Sequence, residues 1–169
     1  TATSSVKHQQ VCLPMDDCSI RKAKITDAPA IARLVIQLGY HTSPSEMEIR
    51  LQTLLAHSDY VTCVAEVSST VVGLVGAYIG YAIEFAGTYA RLTGLVVDEQ
   101  WRGRGIGKML MERIERWARE QGGTLIILTS GNQRADAHRF YETLGYTKTG
   151  VRYAKQLAQP FDKINTDKQ

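Results

Sequence analysis

The chain has 169 residues, 44% hydrophobic and 22% charged, with a formal net charge of +3. That composition fits one ordinary globular domain, long enough to bury a core without disulfide or metal staples. No run of about 18 apolar residues occurs, so no transmembrane helix is expected, and the small net charge gives no ground for a nucleic-acid partner. The cysteines Cys12, Cys18 and Cys63 are odd in number and form no C-x-x-C pair. A reducing cytoplasm is therefore expected, without a disulfide framework or zinc site. The histidines are scattered without ligand spacing, so no metal is expected.

In chain order, residues 1–17 show no periodicity and are expected to be a flexible arm. The polar start Thr1-Ala2-Thr3-Ser4-Ser5 has no initiator methionine and no apolar signal-peptide core. Cys18 to Lys24 alternates and predicts a first strand. Thr26 is expected to N-cap a helix with Pro29 in its first turn, Ile31, Leu34, Val35 and Leu38 on one face, and a stop near Gly39. Ser43-Pro44-Ser45-Glu46 reads as a capping box. It opens a helix with Ile49, Leu51, Leu54 and Leu55 that ends near His57. Tyr60–Val67 and Val71–Ile83 predict an antiparallel hairpin about Ser68-Ser69-Thr70. Thr88–Val97 is the next strand.

A glycine turn then leads into a helix of about four turns with Ile106, Leu110, Ile114 and Trp117 on its apolar face; Gln121-Gly122-Gly123 ends it. Thr124–Thr129 predicts a short buried strand, Arg134–Leu144 a short helix, and Tyr146–Leu157 one or two final strands. Residues 159–169 read as a polar tail. The order β-α-α-β-β-β-α-β-α-β places a single mixed α/β domain over 18–158. It argues against a doubly wound dinucleotide domain, in which strands and helices alternate.

The densest signal is Leu95-Val96-Val97-Asp98-Glu99-Gln100-Trp101-Arg102-Gly103-Arg104-Gly105-Ile106-Gly107-Lys108. An apolar strand ends, and an Arg/Gly turn opens directly into a helix whose first N–H groups have no internal partner. With the positive end of the helix dipole, they suit a pyrophosphate. A Walker loop fails because Arg102 stands five before Gly107 and Met109 follows Lys108. A G-x-G-x-x-G fingerprint fails because Lys108 stands where glycine is needed.

The spacing that does fit is Arg-x-x-Gly-x-Gly, at Arg102, Gly105 and Gly107. Downstream, Ala137-His138-Arg139-Phe140-Tyr141-Glu142-Thr143-Leu144-Gly145-Tyr146 has the form A-x-x-F-Y-x-x-x-G-[FY]. In this order and separation, the two motifs resemble the GNAT superfamily of N-acetyltransferases, over about Ser19 to Leu157. The run Thr129 to Tyr141 and the closing Tyr153-Ala154-Lys155-Gln156-Leu157 look most like its aminoalkylphosphonate acetyltransferase branch.

The resemblance implies a central twisted sheet flanked by helices and an acetyl-CoA-dependent transfer to an amine. Arg102, Gly103, Arg104, Gly105, Ile106, Gly107 and Lys108 would hold the cofactor's phosphates. Leu95, Val96 and Val97 would lie along the pantetheine arm, with the Leu95 N–H facing the thioester oxygen. From the second motif, Ala137 and Phe140 would line the cofactor. Asn132 or Arg134 would take the place of an asparagine that relatives put seven residues before the tyrosine. Tyr141 falls on the family's acid, which protonates the departing thiolate. By spacing alone, Ala137, Phe140, Tyr141 and Leu144 are simply the stripe of a core-facing helix.

Relatives often carry a glutamate on the strand before the loop, but Ala90-Arg91-Leu92-Thr93-Gly94 has no carboxylate. Glu84 is the nearest acid, readable as a base partly buried among Tyr81, Phe85 and Tyr89, or as a solvated hairpin residue. Tyr40, His41 and Tyr81 are alternatives that would order water. The missing carboxylate also keeps open a non-catalytic coenzyme A sensor. The cysteines lie outside both motifs, so direct transfer in a ternary complex is expected rather than an acyl-enzyme. Tyr40, His41, Tyr78, Tyr81, Phe85 and Tyr89 flank the expected acceptor opening, with Glu84 the main charge and Arg91 the obvious cation. Together they point to a small primary amine, with protein or peptide amines as the alternative. A homodimer is compatible with this reading.

Overall fold

The computed structural model describes residues 17–84, 86–155 and 157. All but the last residue of the expected N-terminal arm, Cys12, Phe85, Gln156 and the tail 159–169 lie outside the described residues. Five strands form one sheet in the order β1 (Cys18–Lys22), β2 (Tyr60–Val67), β3 (Thr70–Tyr81), β4 (Thr88–Val97) and β5 (Gly123–Ile127). The first four are antiparallel neighbours and β5 runs parallel to β4. The turn of the β2–β3 hairpin is Ser68-Ser69, both at positive φ.

The strands alternate side chains between two apolar layers. Cys63, Ala65, Val75, Ala77, Ala90 and Leu92 face α3 (Ile106–Glu120). Val64, Val71, Leu74 and Val96 face α1 (Ala28–Gln37) and α2 (Pro44–Ala56). Helix α3 buries Ile106, Leu110, Met111, Ile114, Trp117 and Ala118, the 3.6-residue stripe the sequence predicts. It sits close on β3 because residue 73 is glycine. An added Cβ there would meet Leu110 Cδ1 at 3.0 Å and Ile106 Cγ2 at 3.3 Å.

Four local expectations are corrected. Thr26 caps nothing: it lies inside a 3₁₀ turn, Ile25–Asp27, and α1 starts at Ala28. The anchor is Asp27, which accepts from the Lys24 N–H and pairs with Arg21, itself held by Glu66. The Arg21 hydrogen bond holds the Asp27 carboxyl below its usual range. The Ser43–Glu46 capping box forms as expected, but α2 buries Met47 and Leu51 while Ile49 is 65% exposed. Strand β5 is an edge rather than a buried strand, with Leu125 half exposed. Finally, Tyr146–Lys155 forms no strand. Val151 and Tyr153 there are exposed, so no apolar burial offsets the entropy of ordering them.

Candidate active site

The site is built around a split in the sheet. β4 and β5 are paired only from Thr88 to Arg91, where the ladder ends at Arg91 opposite Ile127. From Leu92 to Val97, β4 is bonded among the described residues to β3 alone, and its other edge is open to them. A bulge near Gly76 and Ala77 sharpens the departure: Leu92 pairs with Ala77 and Gly94 with Gly76, leaving Thr93 as the extra residue. An open strand edge presents unpaired N–H and C=O groups to any extended amide-bearing chain. Leu95 and Val97 lie on this segment with their side chains packed toward the α3 layer, while Val96 is buried in the other. Their side chains pack toward the core layers, and the open edge presents the segment's main-chain groups.

The strand delivers the chain to the glycine loop. Arg102 turns back, its Nε donating to the Val97 carbonyl at 3.0 Å. Gly103 and Gly105 have φ of 73° and 80°, a left-handed backbone that costs other residues roughly 1–2 kcal/mol. Gly105 is the N-cap of α3, and Met109 N–H is the first to close back on its carbonyl, at 3.1 Å. Among the described residues, the N–H groups from Gly103 to Lys108 donate to no main-chain carbonyl. The result is a positive concavity of backbone donors at a helix N-terminus, the arrangement that fits a pyrophosphate. Arg104 stacks on Trp101 at 4.7 Å and Lys108 pairs loosely with Glu112 at 3.8 Å, so both cations stand at the rim.

Gly107 has a different reason. An added Cβ would lie 3.2 Å from Phe140 Cζ. The second motif is thus packed on the first: α4 (Ala135–Thr143) sets Phe140 against the helix that opens the loop. Tyr141 meets Phe140 edge-on at 5.3 Å and Tyr146 at 5.9 Å. Tyr146 donates to Glu115 Oε1 at 3.1 Å. The Tyr141 hydroxyl makes no hydrogen bond to a described residue, and burial raises its pKa against a smaller opposing pull from Arg134. Tyr141 is both a member of the α3-side core and a phenol kept protonated without a fixed partner. Asn132 and Arg134 are exposed before α4, and Ala137 is half-buried within it. His138 meets the Gly131 carbonyl at 2.9 Å and pins that turn.

One element of the site escapes the sequence reading. Asp98, just past β4, is a buried carboxylate with 5% of its surface exposed. Arg33 of α1 pairs with it and also donates to the Val71 carbonyl at 3.0 Å. Gln37, one turn on, accepts from the Glu99 N–H at 3.1 Å. Asp98 in turn accepts from the Gln100 N–H at 3.1 Å and caps the 3₁₀ turn that leads into the loop. Burial works against its charge, but the Gln100, Arg33 and Gln37 bonds together hold its pKa below the usual range. The legible signal was Arg33 and Gln37 at i and i+4 on the polar side of an otherwise apolar helix.

The opposite, α1/α2 side is less enclosed. The bulge turns Thr93 and Gly94 to this face: an added Cβ on Gly76 would meet Thr93 Oγ1 at 2.7 Å, and one on Gly94 would meet Leu38 Cδ2 at 3.5 Å. Tyr60 and Tyr78 stack here with ring centroids 5.3 Å apart, and Tyr89 lies across Gly80. The expected burial of Glu84 is not found. Glu84 is exposed in the turn between β3 and β4, beside Tyr81 at 79% and a fully exposed Ile83. Seven residues of strand separate Thr88 from Leu95, roughly 23 Å at the rise of a β-strand. The structure does not bring Glu84 to Leu95. Tyr40 and His41 are exposed at the end of α1.

Among the described residues no group of three His, Cys, Asp or Glu side chains stands together, and no helix is long and apolar enough to cross a membrane. Cys18 and Cys63 are free thiols.

Comparison with known proteins places the chain. The pattern of the acetyltransferase (GNAT) family matches residues 29–146. The aminoalkylphosphonate N-acetyltransferase of Salmonella typhimurium is 34% identical over 155 residues, covering 85% of this chain and 94% of that protein. N-acetyltransferase family 8 member 2 of Rattus norvegicus is 35% identical over 113 residues, covering 65% of this chain and 49% of that protein. The chain thus spans about half the length of that mammalian relative. In fold it is similar to the glucosamine-6-phosphate N-acetyltransferase of Arabidopsis thaliana, with a TM-score of 0.74 at 23% identity over 83% of this chain and 99% of that one. An aminoglycoside N-acetyltransferase solved with CoA gives 0.75 at 19% identity over 83% and 95%. The chain belongs to the GNAT family of acetyltransferases and is an N-acetyltransferase.

Proposed function

We propose that this GNAT-family chain transfers acetyl from acetyl-CoA directly to a primary amine of a small molecule, within a ternary complex. The observation that carries the reading is the open β4 edge from Leu92 to Val97, ending at a loop of free N–H groups at the start of α3. The loop from Arg102 to Lys108 takes the pyrophosphate, with Arg102, Arg104 and Lys108 around it. Leu95 and Val97 offer main-chain groups to the pantetheine amides, and the Leu95 N–H polarises the thioester carbonyl.

Acetyl-CoA supplies an activated acyl carbon on a thiolate leaving group. The free amine attacks that carbon, the new C–N bond forms as the C–S bond breaks, and Tyr141 gives its proton to the departing sulfur. The amine's surplus proton leaves through water, because no carboxylate lies on β4 and Glu84 stands at the far end of the hairpin. Direct transfer needs no cysteine nucleophile, and of the described thiols Cys63 is fully buried, with burial raising its pKa.

A small acceptor is supported by the names of one relative matched over most of both chains and of two neighbours in fold, which are acetyltransferases of an aminoalkylphosphonate, glucosamine-6-phosphate and an aminoglycoside. The test is coenzyme A release with aminoalkylphosphonates, polyamines, aminoglycosides and peptides, beside thermal shifts with acetyl-CoA, ATP and NAD. Stabilisation by acetyl-CoA with turnover of a small amine is expected. Turnover of peptides alone would replace the acceptor class, and stabilisation without any transfer would leave a coenzyme A sensor.

A further inference from the structure

Arg91 occupies a singular place in this fold. It is the last residue of β4 paired to β5, opposite Ile127, at the vertex where the two strands part. Its neighbours in sequence, Ala90 and Leu92, belong to the α3-side core, so its own side chain lies on the α1/α2 face. Across the sheet it is in register with Tyr78, and Tyr78 with Tyr60. The bulge at Thr93 then turns Thr93 and Gly94 onto the same face, next toward the loop.

Arg91 is half-buried as a residue, and its guanidinium has no carboxylate partner among the described residues; its one hydrogen bond, solvent-exposed, goes to Thr129 Oγ1 at 3.1 Å. On the α3 side, half-buried Arg113 likewise has no acidic partner among the described residues. Arg21 and Arg33 on this side of the molecule are both paired with acidic groups. An arginine presents five donors in a planar fork suited to a carboxylate or a phosphoryl group. One neutral hydroxyl leaves most of that capacity unused.

We propose that Arg91 is a specificity-determining residue: it binds an anionic group on the acceptor, phosphonate or carboxylate, and directs the amine end toward Thr93 and Leu95. The inference rests on the acetyl-transfer reading above, which places the thioester beside Leu95. Arg91 and Leu95 are four residues apart, roughly 13 Å of strand, a gap shared between the arginine side chain and an acceptor chain of about two or three carbons. The preferred acceptors are therefore short amines carrying an anion at the other end.

The test compares 2-aminoethylphosphonate and β-alanine with a neutral amine of similar length, 3-amino-1-propanol, in the parent, Arg91→Gln and Arg91→Lys. Steady-state coenzyme A release gives kcat/KM, and calorimetry of 2-aminoethylphosphonate with the CoA-bound protein gives binding without turnover. The parent is expected to favour an anionic acceptor over the neutral one by roughly tenfold to hundredfold, the range of a charged hydrogen bond. Arg91→Gln should collapse that ratio through the KM of the anionic acceptor, and Arg91→Lys should keep part of it. The two anionic arms distinguish a phosphonate from a carboxylate site. A parent that uses the neutral amine as well as the anionic ones overturns the assignment, as does an unchanged ratio in a folded Arg91→Gln protein. Absence of transfer to any amine, with acetyl-CoA still bound, instead removes the acetyl-transfer reading and this inference with it.

Discussion

The two sides of β4 solve different problems with different materials. On the proposed cofactor side, the groups offered are backbone: an open strand edge, two left-handed glycines and the first turn of α3. The side chains there are turned into the core or, like Phe140, used to hold the loop against α4. On the proposed acceptor side, the floor would be side chains on a sheet face: Tyr78, Arg91 and Thr93, with an exposed hairpin beyond. A backbone site tolerates little change because a main-chain position cannot be replaced by another residue's. A side-chain site can be rewritten one residue at a time. On the proposed reading, the difference separates a constant donor from a variable acceptor on one strand.

The largest effect should come from putting a charge into the backbone site. Gly105→Asp is expected to weaken acetyl-CoA binding at least about 100-fold by calorimetry, through repulsion between its carboxylate and the pyrophosphate. Binding within a few fold of the parent would show that the loop is not the phosphate cradle.

Tyr141→Phe should leave that binding intact and lower kcat by roughly 100-fold, the lower range of general acid catalysis. Because burial raises the Tyr141 pKa, its proton is retained beyond the ordinary phenol value of ~10. The rate should therefore climb with pH as the acceptor deprotonates, with no fall traceable to this group below that value. A Phe variant with parental kcat removes the acid and blurs the contrast.

Asp98→Asn tests whether the loop depends on α1. Losing the charged partner of Arg33 and Gln37 should cost roughly 1.5–3 kcal/mol in urea unfolding at neutral pH. The folded-state pKa of Asp98 is lowered, so its contribution is present above the unfolded carboxyl value of about 4 and fades as pH falls below it. The gap between parent and variant should narrow on the same schedule. A gap constant from pH 7 to pH 3 would assign the loss to something other than the charge.

The smallest effect is expected at the hairpin. Glu84→Gln should change kcat/KM by no more than about twofold, as for an exposed surface position. A pH-dependent loss comparable to that of Tyr141→Phe would bring the hairpin into the chemistry and erase the proposed division between the two sides.

The glycine turn proposed to hold the cofactor was legible because its signals are local. Arg102, Gly105 and Gly107 are close in sequence, and the left-handed turn that requires glycine is decided within a few residues. Helix α3 announced itself by period, and the Ser43–Glu46 box by spacing. Thr26 and Ile49 misled for one shared reason. Either a capping residue or an apolar one offers a local option, and a distant partner decided against it: Arg21 for the turn at Asp27, the β2 face for the roll of α2. Glu84 misled because nearness in sequence to β4 is not nearness to its far end.

What the sequence determined by itself was the family, the order of elements up to α4 and the place of the glycine turn that opens α3, all of which depend on contacts a few residues long. Only the tertiary structure decided that β5 leaves β4 at Arg91 and opens the edge beside Leu95. It alone decided that Gly107 exists to admit Phe140, and that Asp98 is tied to a helix more than sixty positions earlier by Arg33. Strand separation, close packing and buried ion pairs are relations between surfaces. No single stretch of chain carries both partners, so none can declare the result.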